Sequence, residues 1–425
     1  MNPKFKVLID APCFNRSGYG GVSDGLVPML LQYPHFHARL QLCNWGSCIP
    51  RQNVMPNDEL MKASMLKPNE KFQPDIFIAI NLPENIQPCG RIFNINFTAG
   101  LETDSWPDSY MNAMNKWDLT IFQSNFAKAM AEQSRIRPAR KIEILPWCQD
   151  TNIFKIDSTP NEKIEEIMAT VQEDEAFLYV GQRTHHNPWM DRKNVCLLIQ
   201  TFCNAFKGRE KRPALILKFN GVNFSTYDRN GSVSIIRGIR DPIDPTVPIY
   251  LLHGEMTDPE LNALYNHKKI IACTSFTRGE GFGGSLLQSS LAGKPTIASN
   301  YSGHLDYLDK GLFIPLEGTL RPIPEEAVSN WFERGSRWFE INPEEAIEKF
   351  REFYDEPLVR GIQSGELAKR NAARFNLAEQ QRRLYQILDK HLLGRTGNTI
   401  IPNHICNPAR TAVTSPLAQE GTDTF

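Results

Sequence analysis

The residues best placed to do chemistry lie between Thr274 and Leu308. An apolar strand ends near Thr274, the run Gly-Glu-Gly-Phe-Gly-Gly follows from Gly279, and the pattern then predicts a helix from about Ser285 to Ala292. Gly293 is a natural C′ residue for that helix and Pro295 stops it. A helix entered through Gly281, Gly283 and Gly284 presents backbone N–H groups with no intrahelical partner, at the positive end of its dipole. Small residues there let an anion come close, so the chemistry implied is phosphate binding at the C-terminal end of a parallel strand. A strand-to-helix turn needs glycines in any case, so the loop alone leaves a structural reading open beside the functional one.

Other groups carry weaker signals. His35 and His37 alternate as metal ligands on a strand would, but no third ligand is close in sequence, and a surface or core pair is the simpler reading. His185-His186 could reach a ligand or belong to a loop, and His304 follows the glycine helix. Trp106, Trp117 and Trp147 are either core or sugar-stacking surface. Two basic clusters stand out: Arg135, Arg137, Arg140 and Lys141, then Lys207, Arg209, Lys211, Arg212 and Lys218. Such runs form a solvated face or track a phosphate backbone. The formal net charge of −1 supplies no global field for nucleic acid. Nine scattered cysteines contain no Cys-x-x-Cys pair, which argues against a zinc site or disulfide framework and for reduced cytoplasmic thiols.

The elements that must position these residues follow a βαβ rhythm. Strands are predicted at Lys4–Asp10, Asp75–Ile80, Arg91–Asn96 and Leu119–Gln123, then at Phe177–Val180, Ala214–Phe219, Ile249–Leu252, Ile270–Thr274, Thr296–Ser299 and Leu312–Ile314. Helical patterns cover Val22–Leu31, Glu344–Tyr354 and Leu377–Leu393. Short apolar runs alternating with helices argue for doubly wound parallel sheets. The polar, acidic segment Asp157–Ala176 interrupts the rhythm and reads as a connection. The chain of 425 residues therefore divides into an N-terminal Rossmann-like domain, 1–160, and a C-terminal one, 161–376. The helix at about 377–393 is expected to pack back on the first domain, and 394–425 reads as a flexible tail. No run approaches the ~20 apolar residues of a transmembrane helix.

Glu-Gly-Phe-Gly, the helix, Ala-Gly-Lys-Pro and the Ser-x-x-x-Gly after it resemble the donor-site signature of retaining GT-B glycosyltransferases, the large group that includes bacterial mannosyl- and glucosyltransferases. That resemblance, which extends over roughly residues 90–310, implies the α/β GT-B fold, two Rossmann-like parallel-sheet domains facing a cleft. It implies a nucleotide-sugar donor and transfer to an acceptor hydroxyl. The family pattern has two acids separated by seven residues; Glu280 matches the first, which contacts the donor sugar, and Gln288 replaces the second, which binds the ribose. Arg183 and Lys193 match the pair that clamps the diphosphate, with Arg192 a rival for either. The amides of Gly283, Gly284, Ser285 and Leu286 complete the anion site, beside Gly281 and Phe282. Gly254 and Met256 fall in the turn that holds the base, and Gly20 and Gly21 in the first glycine-rich loop, which faces the donor phosphate.

Glu102 is a candidate to meet the acceptor hydroxyl; alternatively Glu102 and Asp104 cap the helix that Pro107 begins. No Asp-x-Asp triplet stands in a matching place, so no metal or other cofactor is expected. The resemblance leaves the acceptor open between a glycan, a lipid-linked sugar and, as in some bacteriophage enzymes, hydroxymethylated cytosine in DNA. A non-catalytic nucleotide-sugar-binding protein or an epimerase of similar fold is the competing class.

Overall fold

The computed structural model describes residues 4–46, 50–51, 54–221, 225–356 and 364–394. Contacts between residues divide the chain into two units. The first comprises Met1–Gly100, Pro107–Cys148 and Leu377–Phe425; the second comprises Leu101–Trp106 and Gln149–Asn376.

The first unit is built on six parallel strands: β1 (Phe5–Ala11), β2 (Phe36–Leu42), β3 (Ile76–Ile80), β4 (Phe93–Thr98), β5 (Leu119–Phe122) and β6 (Lys141–Ile144), in the order β2-β1-β3-β4-β5-β6. The central β3, Ile-Phe-Ile-Ala-Ile, is buried along its whole length, as a strand covered on both faces must be. The helix Leu377–Leu388 belongs here: Leu384, Ile387 and Leu388 join the core formed by Val7, Ile9 and Ile78. Tyr33 Oη donates to Asp389 at 2.6 Å and Tyr385 Oη to the Met29 carbonyl at 3.1 Å. A π-helical turn, Asp389–Leu393, ends the described chain, and the tail expected beyond Gly394 lies outside the described residues.

The second unit repeats the plan with β7 (Ala176–Gln182), β8 (Ala214–Asn220), β9 (Ile249–Leu251), β10 (Ile270–Ser275), β11 (Thr296–Ser299) and β12 (Ile314–Leu316), all parallel, in the order β12-β11-β10-β7-β8-β9. An antiparallel hairpin, β13 (Gly318–Pro322) with β14 (Arg337–Ile341), is appended. The core is aromatic. Phe177 on β7 meets Phe202 and Phe206 of the helix Val195–Phe206 and Phe350 of the helix Pro343–Asp355, with ring centroids 5.1 to 6.2 Å apart. This packing fixes β7 against the helix Val195–Phe206, the two elements whose connecting loop carries Arg183, Arg192 and Lys193.

The division falls at Cys148/Gln149 rather than near residue 160. The segment after it docks on the second unit: the Lys155 and Asp157 amides donate to the side chains of Asn262 and Asn266 at 3.2 and 3.0 Å, and Phe154 is buried. No helix among the described residues is long and apolar enough to cross a membrane.

Candidate active site

β7 ends by delivering Arg183 into the loop that leads to Val195–Phe206. Arg183 Nη1 donates to the carbonyl of His185 at 2.7 Å and to that of His186 at 3.4 Å, so this guanidinium braces the loop. The loop closes on Asp191. One carboxylate oxygen accepts from the amides of Thr184 and His185, the other from the amide of Lys193 at 2.7 Å. Asp191 is buried, and the sequence marks it only by its place ahead of Arg192-Lys193-Asn194. Asn194 then takes a left-handed conformation, φ 55, before the helix begins.

Lys193 Nζ donates to Glu280 Oε1 at 2.5 Å. Arg192 lies 3.5 Å from the other Glu280 oxygen and 3.0 Å from Glu102 Oε1, and also donates to the Gly279 carbonyl. Two cations and two anions thus form one network with little exposure to water. Burial alone would raise the Glu280 carboxyl, but Lys193, and then Arg192, overcome it and hold the group at about 2. Burial likewise disfavours the Arg192 cation, which Glu102 and Glu280 more than restore. Arg192 therefore serves the carboxylates, leaving Lys193 as the residue whose ammonium meets only the donor loop.

Glu102 and Asp104 do not cap the following helix. Pro107 is the cap residue of Asp108–Met114, with no side-chain cap bond. Asp104 instead accepts from the amide and Nε of Arg337, both at 2.6 Å, while Glu102 is taken up by Arg192.

The glycine loop runs from β10 to the helix Gly284–Leu291. Gly283 has φ 87, accessible to glycine without strain, and its carbonyl accepts from the amides of Leu286 and Leu287 at 3.1 and 3.2 Å. The amides of Gly284 and Ser285 precede any intrahelical acceptor, which leaves them for an anion. Phe282 and Leu286 are buried; the Phe282 ring packs on Tyr307 and Phe375, so only its backbone is available to a ligand. Ser302 and Gly303 grip the Glu280 backbone: Ser302 Oγ accepts its N–H at 2.8 Å and the Gly303 amide donates to its carbonyl at 2.9 Å. His304, fully buried, is bonded through Nε2 to the Ser299 carbonyl, and burial keeps it neutral.

Gln288 Nε2 donates to Gln149 Oε1 at 3.3 Å, a pairing across 139 positions that no sequence pattern announced. The base-turn residues Gly254 and Met256 follow β9; the Gly254 carbonyl accepts from Lys218 Nζ at 2.7 Å, and His253 pairs with the buried Asp228 at 2.8 Å. In the first unit, Gly20 and Gly21 lie within the helix Gly18–Leu31. A Cβ on Gly20 would meet the Asn15 carbonyl at 2.3 Å, and one on Gly21 the Trp147 ring at 2.6 Å, so both are needed for packing. Trp106 and Trp117 are core residues. Two arginines of the second basic cluster are paired with acids: Arg209 forms a two-pronged pair with Asp355 and Arg212 lies 3.5 Å from Asp244. Among the described residues, no group of three or more His, Cys, Asp and Glu side chains is gathered to hold a metal ion.

Two six-stranded parallel Rossmann-like units, with a glycine loop, a buried acid and a basic pair at the strand ends of the second, define the GT-B class of glycosyltransferase fold. Residues 250–330, about a fifth of the chain, match the model of the family Glycosyl transferases group 1. Among solved structures, HepE of Anabaena in complex with UDP and glucose is similar over 91% of this chain and 100% of its own, at 12% identity and a TM-score of 0.61. Sucrose-phosphate synthase of Thermosynechococcus elongatus is similar over 92% and 99%, at 11% identity and 0.61. A glycosyltransferase of Rickettsia africae is similar over 92% and 99%, at 12% identity and 0.61. At these identities the likeness is one of fold. No curated protein sequence matches this chain.

Proposed function

We propose that this protein is a glycosyltransferase that moves a sugar from a nucleoside-diphosphate donor to an acceptor hydroxyl, with retention of anomeric configuration and without a metal ion. The observation that carries this reading is the ionised Glu280, held by Lys193 and Arg192 at the entrance to a glycine loop whose helix offers free amides. A carboxylate kept charged at low exposure is suited to gripping sugar hydroxyls, and the amides and Lys193 to gripping a diphosphate.

On donor binding, Lys193 exchanges part of its bond to Glu280 for the diphosphate, aided by Arg183 and by the Gly284 and Ser285 amides. These groups stabilise the negative charge that grows as the bond from the sugar C1 to phosphate oxygen breaks. The electron pair leaves with the nucleoside diphosphate. The acceptor oxygen bonds C1 from the same face, and its proton passes to the departing phosphate oxygen, so no protein nucleophile is required. Arg192 fixes Glu280 and Glu102 in place, and Glu102, facing this network, is our candidate to orient the acceptor hydroxyl. Gln288 with Gln149 supplies neutral hydrogen-bonding groups for the ribose.

UDP-glucose is the first donor to try, because HepE was solved with it. For the acceptor we favour a small molecule or glycan end over modified DNA, since Asp355 and Asp244 already occupy arginines of the second basic cluster. We assign the reaction to the cytoplasm, a compartment that fits the seven described cysteines, all free thiols. The test is a donor screen read by released nucleoside diphosphate, with glycan, lipid-linked sugar and hydroxymethylated DNA acceptors in parallel and EDTA in a duplicate set. Transfer with the same anomeric configuration in donor and product, unchanged by EDTA, supports the reading. An inverted product or activity restored only by manganese overturns the corresponding part. Transfer confined to DNA and falling steeply with salt would replace the acceptor class. Binding without turnover would favour the non-catalytic alternative, and conversion of the donor sugar itself the epimerase.

A further inference from the structure

Ser302 holds a backbone conformation that its side chain disfavours. Its φ of 83° and ψ of −161° lie in a region that is essentially reserved for glycine, and strain of this kind persists only where the surroundings enforce it. Four non-glycine residues among those described have positive φ; Phe14, Asn69 and Asn194, at φ 62, 66 and 55, have φ near that of the ordinary left-handed well, while Ser302 is beyond it. The sequence has glycine at the next position, Gly303, where a Cβ would run into the Gly281 carbonyl at 2.2 Å. Glycine would be the unstrained choice at 302 as well, yet a serine is there, 5% exposed, with its Oγ 2.8 Å from the Glu280 nitrogen.

From this we propose that Ser302 is a positioning residue: its hydroxyl, presented from a glycine-type backbone, fixes the Glu280 main chain so that the carboxylate meets the donor. The inference deepens the transferase reading and rests on it for the role of Glu280. The grip has two jaws. Ser302 Oγ holds the Glu280 N–H, and the Gly303 N–H holds the Glu280 carbonyl at 2.9 Å. Both backbone groups of Glu280 are therefore committed to a single two-residue turn, while its carboxylate is held by Lys193 and Arg192. A glycine at 302 would keep the backbone bond from Gly303 and remove strain, but it would free the Glu280 amide and with it the loop's fixed direction. In the strained form of the chain at 302 the hydroxyl reaches that amide, so strain and hydroxyl occur together.

Ser302→Gly and Ser302→Ala separate the two effects. Both remove the hydroxyl; only alanine keeps a Cβ at positive φ, so Ser302→Gly should melt above Ser302→Ala, by about 2–4 °C. Turnover should fall in both variants by roughly 10–100-fold in kcat, the scale of a slightly misplaced group, with donor KM changed less. A role in stability alone gives the opposite pattern, with activity following melting temperature and Ser302→Gly as active as wild type. Hydrogen exchange of the Glu280 amide, read by mass spectrometry on a peptide spanning residues 278–283, gives a result that needs no turnover: protected in wild type, exchanging at least ten-fold faster in both variants. Unchanged exchange overturns the proposal, as does full activity in Ser302→Gly. Faster exchange in the variants, with a wild type that turns over no nucleotide sugar, upholds the grip on Glu280 and removes the transferase reading instead.

Discussion

Replacing Lys193 by methionine keeps most of the side chain's length and deletes its charge, and the consequence for Glu280 can be worked through. In the folded protein Glu280 is held at about 2, against an ordinary 4.5. At 1.36 kcal/mol per pH unit, that difference makes its ionised form worth on the order of 3 kcal/mol to folding. Because the folded value is depressed, this contribution is complete above pH 4.5 and is lost as pH falls toward 2. Without Lys193 the carboxylate keeps Arg192 at 3.5 Å but loses its partner at 2.5 Å, and burial then pushes its titration upward. Lys193→Met should therefore cost about 2 kcal/mol at pH 7, below the full penalty for orphaning a buried charge because Arg192 remains. Once the variant's Glu280 takes up a proton, at a higher pH than in wild type, the gap should narrow as the pH falls, by up to about 1.4 kcal/mol per pH unit. Urea unfolding of both proteins at pH 7, 5, 4 and 3.5, followed by tryptophan fluorescence, measures it. In a Glu280→Gln background the same lysine replacement should cost under about 1 kcal/mol, since no charge is stranded. A gap that is the same at pH 7 and pH 3.5, or a full cost in the glutamine background, would refute the reasoning.

Glu280→Ala should reduce turnover by about 100-fold or more while leaving the far-ultraviolet circular dichroism of wild type, because the loop's backbone bonds to Ser302 and Gly303 do not depend on the carboxylate. Gln288→Leu and Gln149→Leu should each raise the donor KM by about ten-fold with little change in kcat, and the double variant should cost no more than either alone, as for two members of one hydrogen-bonded pair; steady-state kinetics decides. Gly20→Ala should destabilise the protein by about 1–3 kcal/mol despite the better helix former, since its Cβ strikes the Asn15 carbonyl. Gly18→Ala, with open space around it, should be neutral or slightly stabilising in the same denaturation assay.

The parts of the fold that sequence announced are those buried on both faces. β3 is a continuous apolar run, Ile-Phe-Ile-Ala-Ile, and β10 opens with one, Ile-Ile-Ala-Cys. β2 and β6, the edge strands of the first sheet, and the hairpin strand β13 were silent for the same physical reason in reverse. β2, Phe-His-Ala-Arg-Leu-Gln-Leu, and β6, Lys-Ile-Glu-Ile, are half exposed and carry charge, and β13 includes a proline and an arginine. At the site, Glu280 and the glycine loop were legible because they are contiguous. The assignment between Arg192 and Lys193 was not, because the preceding loop has no fixed length; both reach Glu280, from a loop that Asp191 closes through the amides of Thr184, His185 and Lys193. Glu102 with Arg192, and Gln149 with Gln288, are partners only in three dimensions. The strain at Ser302 is a backbone property, and nothing in the run Tyr-Ser-Gly-His foretells it.

The central claim, that this site cleaves the sugar–phosphate bond of a nucleotide sugar and transfers the sugar, is tested most directly by phosphorus NMR of a panel of nucleotide sugars incubated with the protein and a mixed set of acceptors. The expected result is conversion of one donor's diphosphate signals to those of the free nucleoside diphosphate by wild type, with conversion slowed by about 100-fold or more in Glu280→Ala. Donor signals that stay unshifted, unbroadened and unconverted across the whole panel would contradict the claim, as would conversion that proceeds equally fast without Glu280.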